Sequence, residues 1–343
     1  MSKLWVGTYT DQSSEGIYYV EVNKEQTDYE VELKAKVLSP VYFCYAHKKP
    51  VLYAVSEPTD GITRGKVNAY LVDGTNLKLL NEVQAPSDGL VHVACDSDDR
   101  FLFTVSYRDG TVQSYRLKED GSVGELACQI IHNGSGPNTN RQDCAHAHGM
   151  FLTPNETIGY VCDLGMDKVV AYQIDYNTGQ LIEDCQKSIQ LTPGSGPRHL
   201  EFSKCGKYIL VLCELSSSVA VYDVASSKLI NQYSTIKNTD CESIAAAIRM
   251  TQDGKYLYIS NRGEDSIAVF RIKEAELMLI QHIDVMGKHP RDFILSKDES
   301  MLYAACQDTN NVTIFARNKE DGQLTFVKEI IGINRAVTLI EIE

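Results

Sequence analysis

The chain has 343 residues, 43% of them hydrophobic, and a formal charge of −13 at pH 7. That apolar fraction is ordinary for a globular protein, and the acidic balance argues against a nucleic-acid or anionic-membrane surface. No apolar run approaches the roughly 18–20 residues of a membrane span, and the ten cysteines, irregularly spaced with no C-x-x-C, fit reduced thiols better than a disulfide framework.

The first residues, MSKLWVGTYT, run straight into a strand pattern with no signal-peptide core, which predicts a cytoplasmic protein. LWVGTYTDQSSEGIYYVEV (4–22) reads as two alternating strands around a turn. KKPVLYAVSEPTDGITRGKVNAYLV (48–72) repeats that plan with a longer hairpin loop. DDRFLFTVSYRDGTVQSYRL (98–117) and NETIGYVCDLGMDKVVAYQI (155–174) follow. So do CGKYILVLCELSSSVAVYDV (205–224), DGKYLYISNRGEDSIAVFRI (253–272) and DESMLYAACQDTNNVTIFAR (298–317). Each copy is a turn, an aromatic-rich strand, a second turn and another alternating strand.

The aromatic anchors Tyr53, Phe103, Tyr160, Tyr208, Tyr258 and Tyr303 lie 45–57 residues apart, near the ~40–50 of propeller blades. With the amino-terminal unit this gives seven repeats. Period-2 alternation, short Gly/Asp/Asn turns and no helical stripe predict an all-β chain. A seven-bladed β-propeller buries such repeats while leaving only short edges. RAVTLIEIE (335–343) is a strand pattern without a hairpin partner. Pairing it with the first strand would latch the ring in one sheet. The repeat runs end to end, so one domain over residues 1–343 is expected.

In a propeller the loops entering the innermost strands gather at one mouth of the channel. That rule selects His146 and His148 (AHAHGMFL), Arg198 and His199 (GPRHLEFS), Arg249 (AAIRMTQ), and Arg291 with Asp292 (HPRDFILS). The hairpins after the aromatic strands add Glu57, Arg108, Asp163, Glu214, Arg262 and Asp308. Each taken alone has an ordinary structural reading. A His at a strand entrance often donates to a backbone carbonyl, an Arg braces blades through carbonyls, and Asp163, Asp308 and Asn261 suit Asx turns. Glu214 differs, because a carboxylate at an apolar strand end needs a partner. Together, several Arg, two or more His and one Glu suit an anionic sugar acid or its lactone. Arg offers a planar fork to carboxylate or phosphate, and His and Glu move protons near neutral pH.

Cys144, His146 and His148 form C-x-H-x-H, which an extended strand would place on one face. A fourth ligand and a paired C-x-x-C are both missing, and so is the calcium-loop pattern, so no metal and no other cofactor is expected.

The phrases HAHGMFLTPNETIGYVCDLG (146–165), GPRHLEFSKCGKYILVLCELSSSVAVYD (196–223), AAAIRMTQDGKYLYISNRGEDSIAVF (245–270) and HPRDFILSKDESMLYAACQDTNNVTIF (289–315) carry a family likeness, and the opening WVGTYT (5–10) fits it. Over essentially its whole length the chain resembles the lactonase family of seven-bladed propellers. That family includes cycloisomerase-type 6-phosphogluconolactonases and carboxy-muconate lactonising enzymes. The resemblance implies a pocket built from a His, two Arg and a Glu, which match His148, Arg198, Glu214 and Arg262, with Arg249 of the same blade as the other match for the second Arg. His146, His199, Arg249 and Arg291 are then substrate-binding candidates, with Arg291 toward a phosphate. The departures are turn-level: VYFCYAHKKP and GLVHVACDSDDR lack the usual Pro-containing entrances, and Cys205 stands for the Asp of D-G-K.

The activity implied is metal-free hydrolysis of 6-phosphogluconolactone to 6-phosphogluconate. The alternatives are a lactonase or cycloisomerase acting on a muconate-type diacid or another sugar lactone, and a non-catalytic binding propeller. The expected partner is an anionic small molecule, with no nucleic acid and no membrane, on a monomer or weak homodimer.

Overall fold

A computed structural model describes residues 2–23, 28–58, 64–237 and 241–342. Every regular element among them is a β-strand. They form seven antiparallel sheets, each with a leading strand followed by three more. The leading strands are Ala336–Glu341, Pro40–Tyr45, Leu90–Cys95, Ala147–Leu152, Pro197–Phe202, Ile244–Met250 and Pro290–Leu295 for the first to seventh sheets.

The first sheet joins the two ends of the chain. Ala336–Glu341 pairs Ser2–Thr8, which pairs Gly16–Val22 and then Tyr29–Lys36. The expected latch between terminal strands is therefore present. The fourth sheet carries a fifth, two-residue strand, Ile189–Gln190, on its third strand.

The six aromatic anchors lie on the second strands of the second to seventh sheets, because in each of these a leading strand precedes the repeat. The hairpins carrying Glu57, Glu214 and Asp308 therefore join second to third strands. Part of the loop in 48–72 lies outside the described residues.

The sheets divide between two compact units, residues 38–199 with 225–227, and residues 1–37, 200–224 and 228–343. The boundary falls inside the strand Pro197–Phe202, after His199. In the first unit the leading strands of the second to fourth sheets lie side by side, as do those of the sixth, seventh and first sheets in the second unit.

The core fills the spaces between successive sheets. Tyr53, Val55 and Val67 pack against Leu102 and Tyr115 in one unit. Tyr258, Ile267 and Val269 pack against Leu302 and Phe315 in the other. Burying such side chains stabilises by about 1.5–3 kcal/mol each. A tyrosine in this layer also needs a partner for its hydroxyl. Tyr53 donates to the Gly121 carbonyl at 2.8 Å and Tyr258 to that of Gly322 at 2.6 Å. Both glycines sit in D-G turns at φ 85° and 80°, a left-handed conformation that favours glycine.

Candidate functional site

Alternation is broken at the same place in the leading strands. In the fourth sheet Ala147 faces Asp163 and Gly149 faces Cys162, so His148 is an extra residue with no opposite number. Arg291 is the extra residue in the seventh sheet, between Pro290 and Asp292. Val41, Val91 and Val337 occupy the same bulge in the second, third and first sheets, and Ala246 with Ala247 in the sixth. The phrase P-R-H (197–199) aligns with P-R-D (290–292) and puts Arg198 at this position in the fifth sheet. A bulge bends the strand and re-aims the side chain it carries. Four sheets present small apolar residues there, whereas His148, Arg198 and Arg291 present an imidazole and two guanidinium groups.

In the first unit His148, Arg198 and His199 are buried. The His148 and His199 ring centroids are 5.6 Å apart, edge to face. A nitrogen of the Arg198 guanidinium stands 3.2 Å from His199 Nε2. Since Arg can only donate, the His199 nitrogen it meets carries a lone pair. The Tyr107 ring also stands edge to face with His148, at 5.4 Å. His92 contacts the His199, Tyr42 and Phe151 rings.

His146 has the ordinary role of a strand-entrance histidine. Its Nδ1 donates to the Tyr107 carbonyl at 2.6 Å, its ring stacks on Tyr107 at 4.4 Å, and its Nε2 meets the Asp143 carboxylate at 3.2 Å. Asp143, Cys144 and His146 bring their donor atoms within 4.8 Å of one another. His148 is not in that group, because the bulge takes it off the face that strict alternation would give it. Asp163 does more than close a turn. It accepts from the Met166 and His146 amides and meets His132 Nδ1 at 2.6 Å.

In the second unit Glu214 finds the partner its burial demands. Arg262 lies 2.7 Å away, with side-chain exposures of 1% for Glu214 and 6% for Arg262. Arg262 also donates to the Ala245 carbonyl at 3.0 Å. The two residues are register equivalents. Cys213 faces Ser218 and Asn261 faces Ser266, and each charged residue is the next one along. Gln307 follows Cys306, which faces Asn311, and so holds the same place in the seventh sheet.

His289, which sequence reasoning missed, stands among Arg262, Arg291, Glu214 and Asp308. Burial, then the Arg262 charge, pulls its pKa down to about 4. Its Nδ1 is 3.5 Å from Asp308, which Arg335 holds at 2.9 Å. Its signal was a titratable residue directly before the P-R-D phrase. Arg291 lies over the Tyr9 ring at 5.2 Å.

Arg249 is not at a strand entrance. Its strand begins at Ile244, and Arg249 faces Tyr258 near the strand's other end. There it pairs with Asp292 at 2.9 Å, and Asp292 accepts from Thr338 at 3.1 Å. Nearby Glu201 is held up to about 7 by burial, with Arg249 pulling the other way.

Seven antiparallel sheets, each of a leading strand and at least three more, latched by the terminal strands and with basic and imidazole groups on the bulges, point to a class, the propeller lactonases. Residues 3–340 match the family described as "Lactonase, 7-bladed beta-propeller". The chain belongs to that family and has its seven-bladed fold. It is 35% identical to the 6-phosphogluconolactonase of Bacillus subtilis, across 96% of this chain and 95% of that protein. Among solved structures, a Lactobacillus plantarum protein superposes with TM-score 0.92 at 33% identity, covering 100% of this chain and 99% of its own. The Pseudomonas aeruginosa periplasmic gluconolactonase PpgL superposes with TM-score 0.91 at 26% identity, with coverage of 100% and 99%.

Proposed function

We propose that this lactonase hydrolyses 6-phosphogluconolactone to 6-phosphogluconate. The observation that carries the reading is the chemistry of the bulge positions, His148 in the fourth sheet, Arg291 in the seventh and, by the P-R-H alignment, Arg198 in the fifth, against Val or Ala in the other four. The name of the Bacillus subtilis relative supports the choice of lactone.

His148 serves as general base. It takes a proton from water as the water oxygen bonds to the lactone carbonyl carbon. Arg198, braced on His199, stabilises the developing oxyanion. The ring C–O bond then breaks and His148 returns the proton to the leaving hydroxyl. Arg262, fixed by Glu214, and Arg291 are the anion-binding guanidinium groups of their own unit, suited to a carboxylate or phosphate. His146 orients Tyr107 behind His148, and Arg249 closes the polar run with Asp292. No step requires a metal.

Hydrolysis of fresh lactone, coupled to a 6-phosphogluconate dehydrogenase and corrected for the spontaneous rate, tests this. Chelator-resistant turnover that falls at least about 100-fold in both His148→Ala and Arg198→Ala is expected, the range for losing a general base or an oxyanion donor. Full turnover in both variants refutes the assignment.

No disulfide joins any of the ten cysteines among the described residues, which supports a reducing, cytoplasmic setting. No helix among the described residues is long and apolar enough to cross a membrane. Exposed apolar residues are spread over outer strands, as with Leu79, Leu126, Ile182, Leu229 and Met278. That distribution supports a monomer or weak homodimer, which sedimentation equilibrium measures.

A further inference from the structure

Gln307 holds a buried hydrogen-bond acceptor that no donor among the described residues meets. The residue is 8% exposed, and its Oε1 meets no donor among the described residues. The amide orientation is not arbitrary. Its Nε2 donates to Asp308 Oδ1 at 3.1 Å, so the oxygen is the end turned away from that carboxylate. The fold fixes the position firmly. The Gln307 amide N–H donates to the His289 carbonyl at 3.2 Å, and Asp308 is held in turn by Arg335 at 2.9 Å. By register Gln307 stands where Arg262 and Glu214 stand in the two preceding sheets. A buried acceptor without a donor is costly and calls for an explanation.

We propose that Gln307 is a specificity residue whose Oε1 accepts a hydrogen bond from a ring hydroxyl of the substrate, drawn toward it by a side-chain torsion as the substrate enters beside His289 and Arg291. This rests on the lactonase reading above and narrows it. A polyhydroxylated sugar lactone brings donors to that oxygen. A muconate-type diacid, ionised at both carboxyls, brings none and leaves the acceptor unpaired. Sites built to hydrogen-bond a hydroxyl discriminate strongly against analogues that lack it.

The test compares wild type with Gln307→Met, which keeps the side-chain length and removes the acceptor. Substrates are 6-phosphogluconolactone and δ-valerolactone, which has no hydroxyl. The expected result is a loss of roughly 10–100-fold in kcat/KM on the sugar lactone and less than about threefold on δ-valerolactone. The apo variant should have a Tm equal to or above wild type, because an unpaired buried acceptor has been removed. Equal losses on both substrates, or no loss on the sugar lactone, overturn the proposal. If wild type turns over no lactone, the functional reading fails on its own, and calorimetric binding of 6-phosphogluconate then decides about Gln307. Binding weakened at least tenfold in Gln307→Met supports it, and unchanged affinity or no binding to wild type overturns it.

Discussion

The Glu214–Arg262 pair makes opposite predictions for stability and for activity, which lets its two roles be separated. Both groups are almost fully enclosed and stand 2.7 Å apart. Removing one leaves a charge stranded in the protein, at a cost of about 3–5 kcal/mol. Unfolding entropy near 2.1 cal/mol/K per residue, over a chain of this length, converts that to a fall in Tm of about 4–7 °C. Glu214→Leu and Arg262→Met should each show it. The double variant replaces a buried ion pair with apolar side chains, a change that is often close to neutral, so its Tm should return to within about 2 °C of wild type. Activity should not return, because the guanidinium assigned to the substrate is gone. Differential scanning calorimetry and the coupled lactonase assay on all four proteins give the full cycle. Unchanged Tm in both single variants would refute the buried-pair argument. A double variant that regains turnover with its stability would make the pair a brace and remove Arg262 from the chemistry.

The remaining predictions concern pH and the latch. The folded pKa of His289, about 4, lies below its ordinary 6.5. The unfolded chain therefore binds the extra proton first, and stability is lost as pH falls from about 6.5 to 4. His289→Gln should flatten Tm in that window, and the wild-type His289 ring signal in NMR should stay that of neutral imidazole down to about pH 5. Glu201 has the opposite sign. Its folded pKa of about 7 exceeds the ordinary 4.5, so stability is lost as pH rises from about 4.5 through 7. Glu201→Gln should match wild type at pH 4 and exceed it in Tm at pH 8. Truncation after Arg335 removes the leading strand of the first sheet, including the buried Ala336, Val337 and Leu339. It leaves Ser2–Thr8 with one strand neighbour instead of two. Loss of cooperative unfolding by circular dichroism is expected, and a wild-type transition would show the latch to be dispensable.

The repeats made the sheets legible, because turn chemistry and period-2 alternation are local and survive seven copies of drift. Register was less legible. Tyr208 was aligned with Tyr258, yet Tyr208 faces Asp223 while Tyr258 faces Val269, and the true counterpart is Leu210, opposite Val221. A two-residue slip keeps every side chain on its own face, so alternation cannot detect it. A one-residue slip is worse. Arg108, Asp163 and Asp308 were grouped with Glu214 and Arg262, but the residues in register with that pair are Tyr107, Leu164 and Gln307. The hairpins vary in length and carry polar residues on both faces, so nothing in composition marks the right one.

The bulge explains both the success at His148, Arg198 and Arg291 and the failure at Arg249. One inserted residue leaves no compositional trace, so the sequence offered only the anomaly of a basic or imidazole side chain at the head of an apolar strand. That signal picks the right residue when the strand head is recognised. Before Arg249 the run Ala245, Ala246, Ala247 has little β propensity and passed for a loop, although the strand already begins at Ile244. The bulge in that sheet falls on two alanines, too small to reach a ligand. The sixth sheet instead contributes its charge from Arg262, at the other end of the same hairpin-linked pair, where Ile244 and Arg262 face each other. Its small bulge residues and its hairpin guanidinium are thus adjacent by register.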